Sequence, residues 1–296
     1  MPLLKKSLGR RPLIALPLLL AVRPLPAASI ESVRLPLHRT MGDPQLPYVR
    51  RLLQLALSRA GSRAEVGMVE VEMTQGRTLI ELASGDSAFD LIWTMTDRHR
   101  ESSGLLPVRI PIDRGLFGWR LLLVRRRDLV QWSEVRTLAD LGSRLGGQGH
   151  DWPDTTILRG NGLEVATSSD YEAIFRMLAA GRIDYFPRSI VEIDAELATG
   201  RYPELAIAPQ LMLHYPAAAY LFVGPHRPEL AAALRTGLEA AVADGSFQRL
   251  HREFYGPLLR AHPVPPGRVL KLSNPLLPAQ TPLERRELWL QPGEGL

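Results

Sequence analysis

An α/β fold in two lobes is predicted for this chain by three features of its sequence. At 296 residues it exceeds the usual size of one domain. Short apolar strands alternate with amphipathic helices from Val33 onward, and glycines stop those helices.

The elements follow in order. Lys5, Lys6, Arg10 and Arg11 precede an apolar run from Pro12 to Val22, and small residues follow at Ala27 and Ala28, which predicts a removable signal peptide over residues 1–28. Behind Asp43-Pro44, the residues Tyr48, Val49, Leu52, Leu53, Ala56, Leu57 and Ala60 share one helical face, and Gly61 closes that helix. A second helix is predicted from Thr74 to Ser84. Gly85, Asp86 and Ser87 then turn the chain into a buried strand, Ala88 to Trp93.

Further on, Ser169 with Glu172 and Ser189 with Glu192 have capping-box spacing. They bracket a helix carrying Tyr171, Ile174, Phe175 and Leu178, then a strand from Ile183 to Phe186. Leu211 to Val223 reads as strand, Pro228 to Ala243 and Ser246 to Tyr255 as helices. From His262 the prolines are dense and periodicity is lost, so residues 262–296 are predicted to form an irregular tail packed on the first lobe.

Composition narrows the function. Five of the 36 basic residues lie in the expected signal segment and no acidic residue precedes Glu31, which leaves 31 basic against 31 acidic residues beyond it. A domain without excess positive charge has no general attraction for phosphate backbones, so nucleic acid is not an expected partner. Cysteine is absent, which excludes a disulfide framework, a thiolate zinc site, a cysteine nucleophile and a lipid-modified cysteine. The seven histidines are scattered without metal spacing, and no cofactor is implied.

Candidate site residues cluster where strands end. In an open α/β sheet, ligands sit beyond the carboxyl ends of the strands, where Thr94, Thr96, Arg98 and Arg100 follow the Ala88–Trp93 strand. Arg188 follows the next such strand. Trp152 and Tyr185 are candidate aromatic walls, with Phe186 balanced between wall and core. Asp151 and Asp154 have a spacing that favours helix capping over a metal. Trp93 and Trp119 are assigned to the core. Neither H-E-x-x-H, a nucleophile elbow nor a phosphate loop occurs.

Four segments carry a resemblance: Gln75 to Asp90 (QGRTLIELASGDSAFD), the loop Thr94 to Arg100, the Thr137–Leu141 stretch before Gly146 to Gly149, and Leu178 to Asp184 (LAAGRID). In this order they resemble the solute-binding proteins of polar amino-acid ABC transporters, with the type II periplasmic-binding fold. The resemblance implies two α/β lobes with a ligand cleft between them. Residues 29–116 and 210–261 would form one lobe and 117–209 the other, closing about hinges near Leu116 and Gln210. It implies that Thr96 with Arg98 or Arg100 holds a ligand carboxylate, while Thr94 shares that rim. Arg188 stands where relatives place an aspartate for the ligand's amino group. The segment Gly147 to Thr155, with Asp151, Trp152 and Thr155, replaces a shorter anion-receiving turn. Both departures speak against an ordinary α-amino acid as ligand, and the expected solute is small and anionic or carboxylate-bearing.

The expectation is a monomeric, exported, periplasmic solute-binding protein that is not an enzyme, with a membrane permease or sensor as partner. A sensing domain without transport is one alternative. A lyase like the cyclohexadienyl dehydratases, with Glu101 as acid or base, is another.

Overall fold

A computed structural model describes residues 30–38, 43–265 and 267–291; the expected signal segment 1–28 lies outside the described residues. The chain begins with β1 (Ser32–His38), α1 (Leu46–Arg59), β2 (Glu65–Val71), α2 (Gln75–Ala83), β3 (Leu91–Met95), the single turn α3 (Arg98–Glu101) and β4 (Leu106–Val108). Next come β5 (Trp119–Arg125), the short α4 (Leu129–Trp132) and α5 (Leu138–Gly142), β6 (Gly146–Gly149), α6 (Pro153–Gly160), β7 (Val165–Ser168), α7 (Tyr171–Ala179), β8 (Tyr185–Ser189), α8 (Ile193–Ala198) and β9 (Leu205–His214). The last elements are β10 (Ala219–Val223), α9 (Pro228–Ala243), α10 (Ser246–Ala261) and β11 (Val269–Lys271). Among the described residues no helix is long and apolar enough to cross a membrane.

One lobe is built on a parallel pair, β1–β2, and an antiparallel sheet ordered β3–β10–β4. The Asp90 backbone N–H donates to the Arg34 carbonyl at 2.9 Å and joins the two sheets. The buried stripe of α1 is Tyr48, Val49, Leu52, Leu53, Ala56 and Leu57, spaced at three and four residues, and it packs on α9. There the approach is so close that a Cβ on Gly237 would lie 1.8 Å from the Ala56 carbonyl oxygen. The other lobe is a six-stranded mixed sheet ordered β11–β9–β5–β8–β6–β7, flanked by α6 and α7.

The chain passes between lobes through two short segments that touch. The Tyr215 N–H donates to the Gly118 carbonyl at 3.1 Å, and a Cβ on Gly118 would lie 2.0 Å from the Tyr215 oxygen. Residues 212–214 remain in the six-stranded sheet, opposite Trp119 to Leu121. The passage back therefore follows His214, some residues after the expected crossing near Gln210, whose positive φ of 49° marks a bulge inside β9.

Several local expectations are corrected. The expected strand at Ala88 starts only at Leu91, because Ser87 Oγ accepts the Phe89 N–H and holds the preceding residues in a turn. The cap of α7 is Asp170, accepting from Ala173 N–H, and not Ser169. Gly146 to Gly149 is a strand rather than a helix-opening turn. It is all but devoid of side chains because Tyr185, Ile183 and Trp152 fill the space where its Cβ atoms would stand. The tail does not pack on the first lobe alone. β11 extends the six-stranded sheet beside β9, Ser273 bonds Asn161, the Arg98 N–H donates to the Leu276 carbonyl, and Arg285 pairs with Glu239 on α9. It lies across both lobes.

Candidate functional site

Between the lobes lies a cavity of about 470 Å³, within the range of small-molecule sites. Its first wall comes from the end of β3, the N-terminus of α2 and the segment before α1. Its second comes from the loop before α6, the start of α7, the end of β8 and α8.

Arg100 is buried on the first wall. Its Nη1 donates to Thr94 Oγ1 and to the Met95 carbonyl, each at 2.7 Å, and Nη2 donates to Gln75 Oε1 at 2.8 Å. Asp97, which caps α3 by accepting from Arg100 N–H, lies 3.2 Å from Nε. Burial holds the Arg100 pKa below its ordinary value, only partly opposed by Asp97, Asp151 and Asp154. One Nη2 hydrogen is left for a ligand.

Two further buried arginines face it from the other lobe. Arg188 Nη2 lies 2.6 Å from Glu196 and 3.1 Å from Glu192, and its guanidinium sits 4.9 Å from the Trp152 ring centre and 5.6 Å from that of Tyr171. Arg120 pairs with Asp154 at 2.6 Å, and the Tyr215 hydroxyl donates to the same carboxylate. Burial works against both charges. Glu192 and Glu196 nevertheless hold Arg188 well above its ordinary pKa, and Asp154, Tyr215 and Glu192 raise Arg120. The charge of Arg188, which stands where relatives place an aspartate, is thus cancelled by its own glutamates.

Among the residues predicted from sequence, Thr94, Arg100, Asp151, Trp152 and Arg188 line this cavity. Thr96, Arg98, Thr155 and Tyr185 do not. Thr96 points behind the strand and donates to Glu101 at 2.7 Å. Arg98 is exposed, because α3 turns its side chain outward while bringing Arg100 in. Thr155 donates to the Gly149 carbonyl, and Tyr185 is fully buried against Trp132. Asp151 caps nothing on its own helix: it crosses the cleft and accepts the Gly76 N–H at the start of α2, 3.2 Å away. Trp93, assigned to the core, also reaches the cavity wall.

Arg120, Asp43, Gln45, Glu192 and Glu196 also line the cavity and escaped sequence reasoning. Arg120 had a signal, a lone cation inside the run WRLLLV. Asp43 reads in the sequence as a helix-start residue and Glu192 as the capping-box partner of Ser189. Among the described residues no group of metal-ligating side chains comes together.

No family model and no curated protein matches this sequence. Solved structures match in shape. An ancestral arginine-binding protein bound to arginine superposes with a TM-score of 0.54 at 14% identity, covering 76% of this chain and 98% of that one. The GluR0 ligand-binding core from Nostoc punctiforme, in complex with L-glutamate, gives 0.50 at 14% identity over 76% and 100%. The BvgS VFT2 domain of Bordetella pertussis gives 0.52 at 20% identity over 75% and 93%. The chain has the type II periplasmic-binding fold. In this type II fold the cavity occupies the cleft between the lobes, with Thr94 and Arg100 at its β3 end and Arg188 opposite.

Proposed function

We propose that this protein captures a small, amino-acid-like solute bearing a carboxylate, and that Arg100 and Thr94 receive that carboxylate. The observation that carries the reading is the contrast among the three cleft arginines: in Arg120 and Arg188 the terminal guanidinium nitrogens are paired with carboxylates of their own lobe, whereas Arg100 meets Asp97 only at Nε, is held at both Nη atoms by neutral oxygens and keeps a donor free. A charge-assisted bond to a buried, under-compensated guanidinium is among the stronger polar contacts a site can offer. Binding without chemistry fits a site in which Asp154, Glu192 and Glu196 are tied in ion pairs. Export to the periplasm and delivery to a transport permease complete the reading, supported by the expected signal segment and by the fold.

A wholly anionic solute is less well supported, because six carboxylates and four guanidinium groups line the cavity. Sensing without transport is the second reading. The tail from 262 to 291 touches both lobes, so lobe closure would shift it and a partner holding it could register occupancy.

The test is a thermal-shift screen of the purified protein against amino acids, dicarboxylates and small peptides. A ligand at about a hundred times its dissociation constant adds roughly 2.7 kcal/mol, a melting rise of several degrees. Arg100→Ala should abolish the rise and Arg98→Ala should leave it intact. Loss in both variants or in neither would refute the assignment, and a hit chemically converted on incubation would move the reading to an enzyme.

A further inference from the structure

The cavity does not end at the Arg188 corner. Its wall continues along α8, where Glu192, Ala195, Glu196 and Thr199 line it at the three- and four-residue spacing of one helical face. The backbone is helical from Glu192 through Thr199, so that face runs about 10 Å at about 1.5 Å per residue. The remaining sides of α8 are spoken for: Ile193 is in the core, and Asp194 and Ala198 face solvent. Across the arm stand Tyr171, Glu172 and Phe175 of α7, and Arg201 and Tyr202, just past α8, line its far end.

The polar atoms along this arm are satisfied by one another. Glu192 and Glu196 turn to Arg188, the Tyr171 hydroxyl donates to Glu196, and Thr199 Oγ1 donates to the Glu196 carbonyl at 2.7 Å. Glu172 accepts from Arg201 Nη1 at 2.6 Å and from the Tyr202 hydroxyl at 3.0 Å. What the arm offers a ligand is therefore apolar surface: the methyl groups of Ala195 and Thr199 and a set of packed rings. Phe175 stacks on Tyr202, centroids 5.3 Å apart and planes 12° apart, and meets Tyr171 edge-on at 5.1 Å. Ala195, Thr199 and Arg201 are exposed, so the arm is open to solvent along one side. Covering such a surface gives affinity in proportion to the apolar area removed from water and calls for no new polar partner.

We propose that the arm between α7 and α8 is a second subsite, which receives the apolar alkyl or aryl extension of a carboxylate anchored on Arg100. The proposal rests on the solute-binding reading above and names the class of solute, a carboxylate drawn out by a chain or ring that needs no charge at its far end. The arm opens beside Arg188, across the cleft from Arg100, and leads away along α8, so the distal end of an anchored solute is the part that enters it. A cavity of about 470 Å³ lies in the range that holds drug-sized molecules. Ala195 and Thr199 set the width of the arm, because a large side chain at either position would fill it.

The test is equilibrium dialysis of the purified protein against L-norvaline, L-norleucine, L-2-aminooctanoate and L-2-aminodecanoate, which share one head group and differ only in chain length. Affinity should rise roughly threefold per methylene that enters the arm, making 2-aminodecanoate at least about thirtyfold tighter than norleucine. Thr199→Trp, which plugs the arm, should erase most of that ratio, and Ala198→Trp, on the same helix but off the cavity, should keep it. Binding of norleucine reports that each variant is folded. Equal affinity along the series, or a chain-length dependence that survives Thr199→Trp, would overturn the proposal and leave the solute-binding reading intact. Absence of binding by all four at roughly 1 mM would overturn it as well; if the thermal-shift screen is also blank, the solute-binding reading falls with it.

Discussion

Asp43→Asn should make the protein more stable at neutral pH. Burial in the cleft pushes the Asp43 carboxyl up to about 6 from an ordinary 3.8. Each unit is worth about 1.4 kcal/mol, so the ionised group opposes folding by at most about 3 kcal/mol, and by about 1–2 kcal/mol once its partial exposure is allowed for. The sign follows from linkage: a carboxyl that holds its proton more tightly folded than unfolded loses stability as pH climbs from about 4 to about 6, and the loss persists above. Asparagine has the same shape and keeps an oxygen for the Gln45 N–H, but never ionises. Thermal denaturation should therefore show the variant melting about 3–6 °C higher than wild type at pH near 7.5, with the difference vanishing near pH 4. An equal gain at both pH values, or none at the higher one, would refute the reasoning.

Two further outcomes follow from the packing. Arg188→Ala leaves Glu192 and Glu196 facing each other in a buried corner without their cation, so stability should fall by roughly 3–5 kcal/mol. The loss should be smaller near pH 5, because burial already pushes the Glu192 carboxyl up and it can take up a proton there, and a denaturant titration at the two pH values measures it. Gly237→Ala drives a methyl into the Ala56 carbonyl and must separate α1 from α9. A cost of about 1–3 kcal/mol or more is expected, read as a lowered melting midpoint; an unchanged midpoint would show that this contact is not close.

Much of the architecture was legible because it is written in short-range pattern. The apolar stripe of α1, the helix behind Thr74, and the alternation of strand and helix all follow from residues near one another in sequence. The cleft was legible where strand ends expose polar side chains, at Thr94, Arg100 and Arg188, and in the segment before α6, at Asp151 and Trp152. Choosing Arg100 over Arg98 required the turn of α3, since residues two apart on a helix point to different sides. The Gly146–Gly149 strand was not legible at all, because its lack of side chains reflects the bulk of Ile183, Tyr185 and Trp152, one of them nearby and two of them distant in sequence.

The sequence by itself determined the α/β class, the resemblance that anticipated two lobes and a cleft, and the stretch after β3 that supplies a site arginine, since each rests on local periodicity, chain length or motif order. Only the tertiary structure decided the charge of the cleft. Whether an arginine is free or cancelled depends on carboxylates brought to it by folding, from Glu196 eight residues from Arg188 to Asp154 beyond thirty residues from Arg120. Electrostatic balance inside a cleft is a sum over neighbours in space, and no reading along the chain contains that sum.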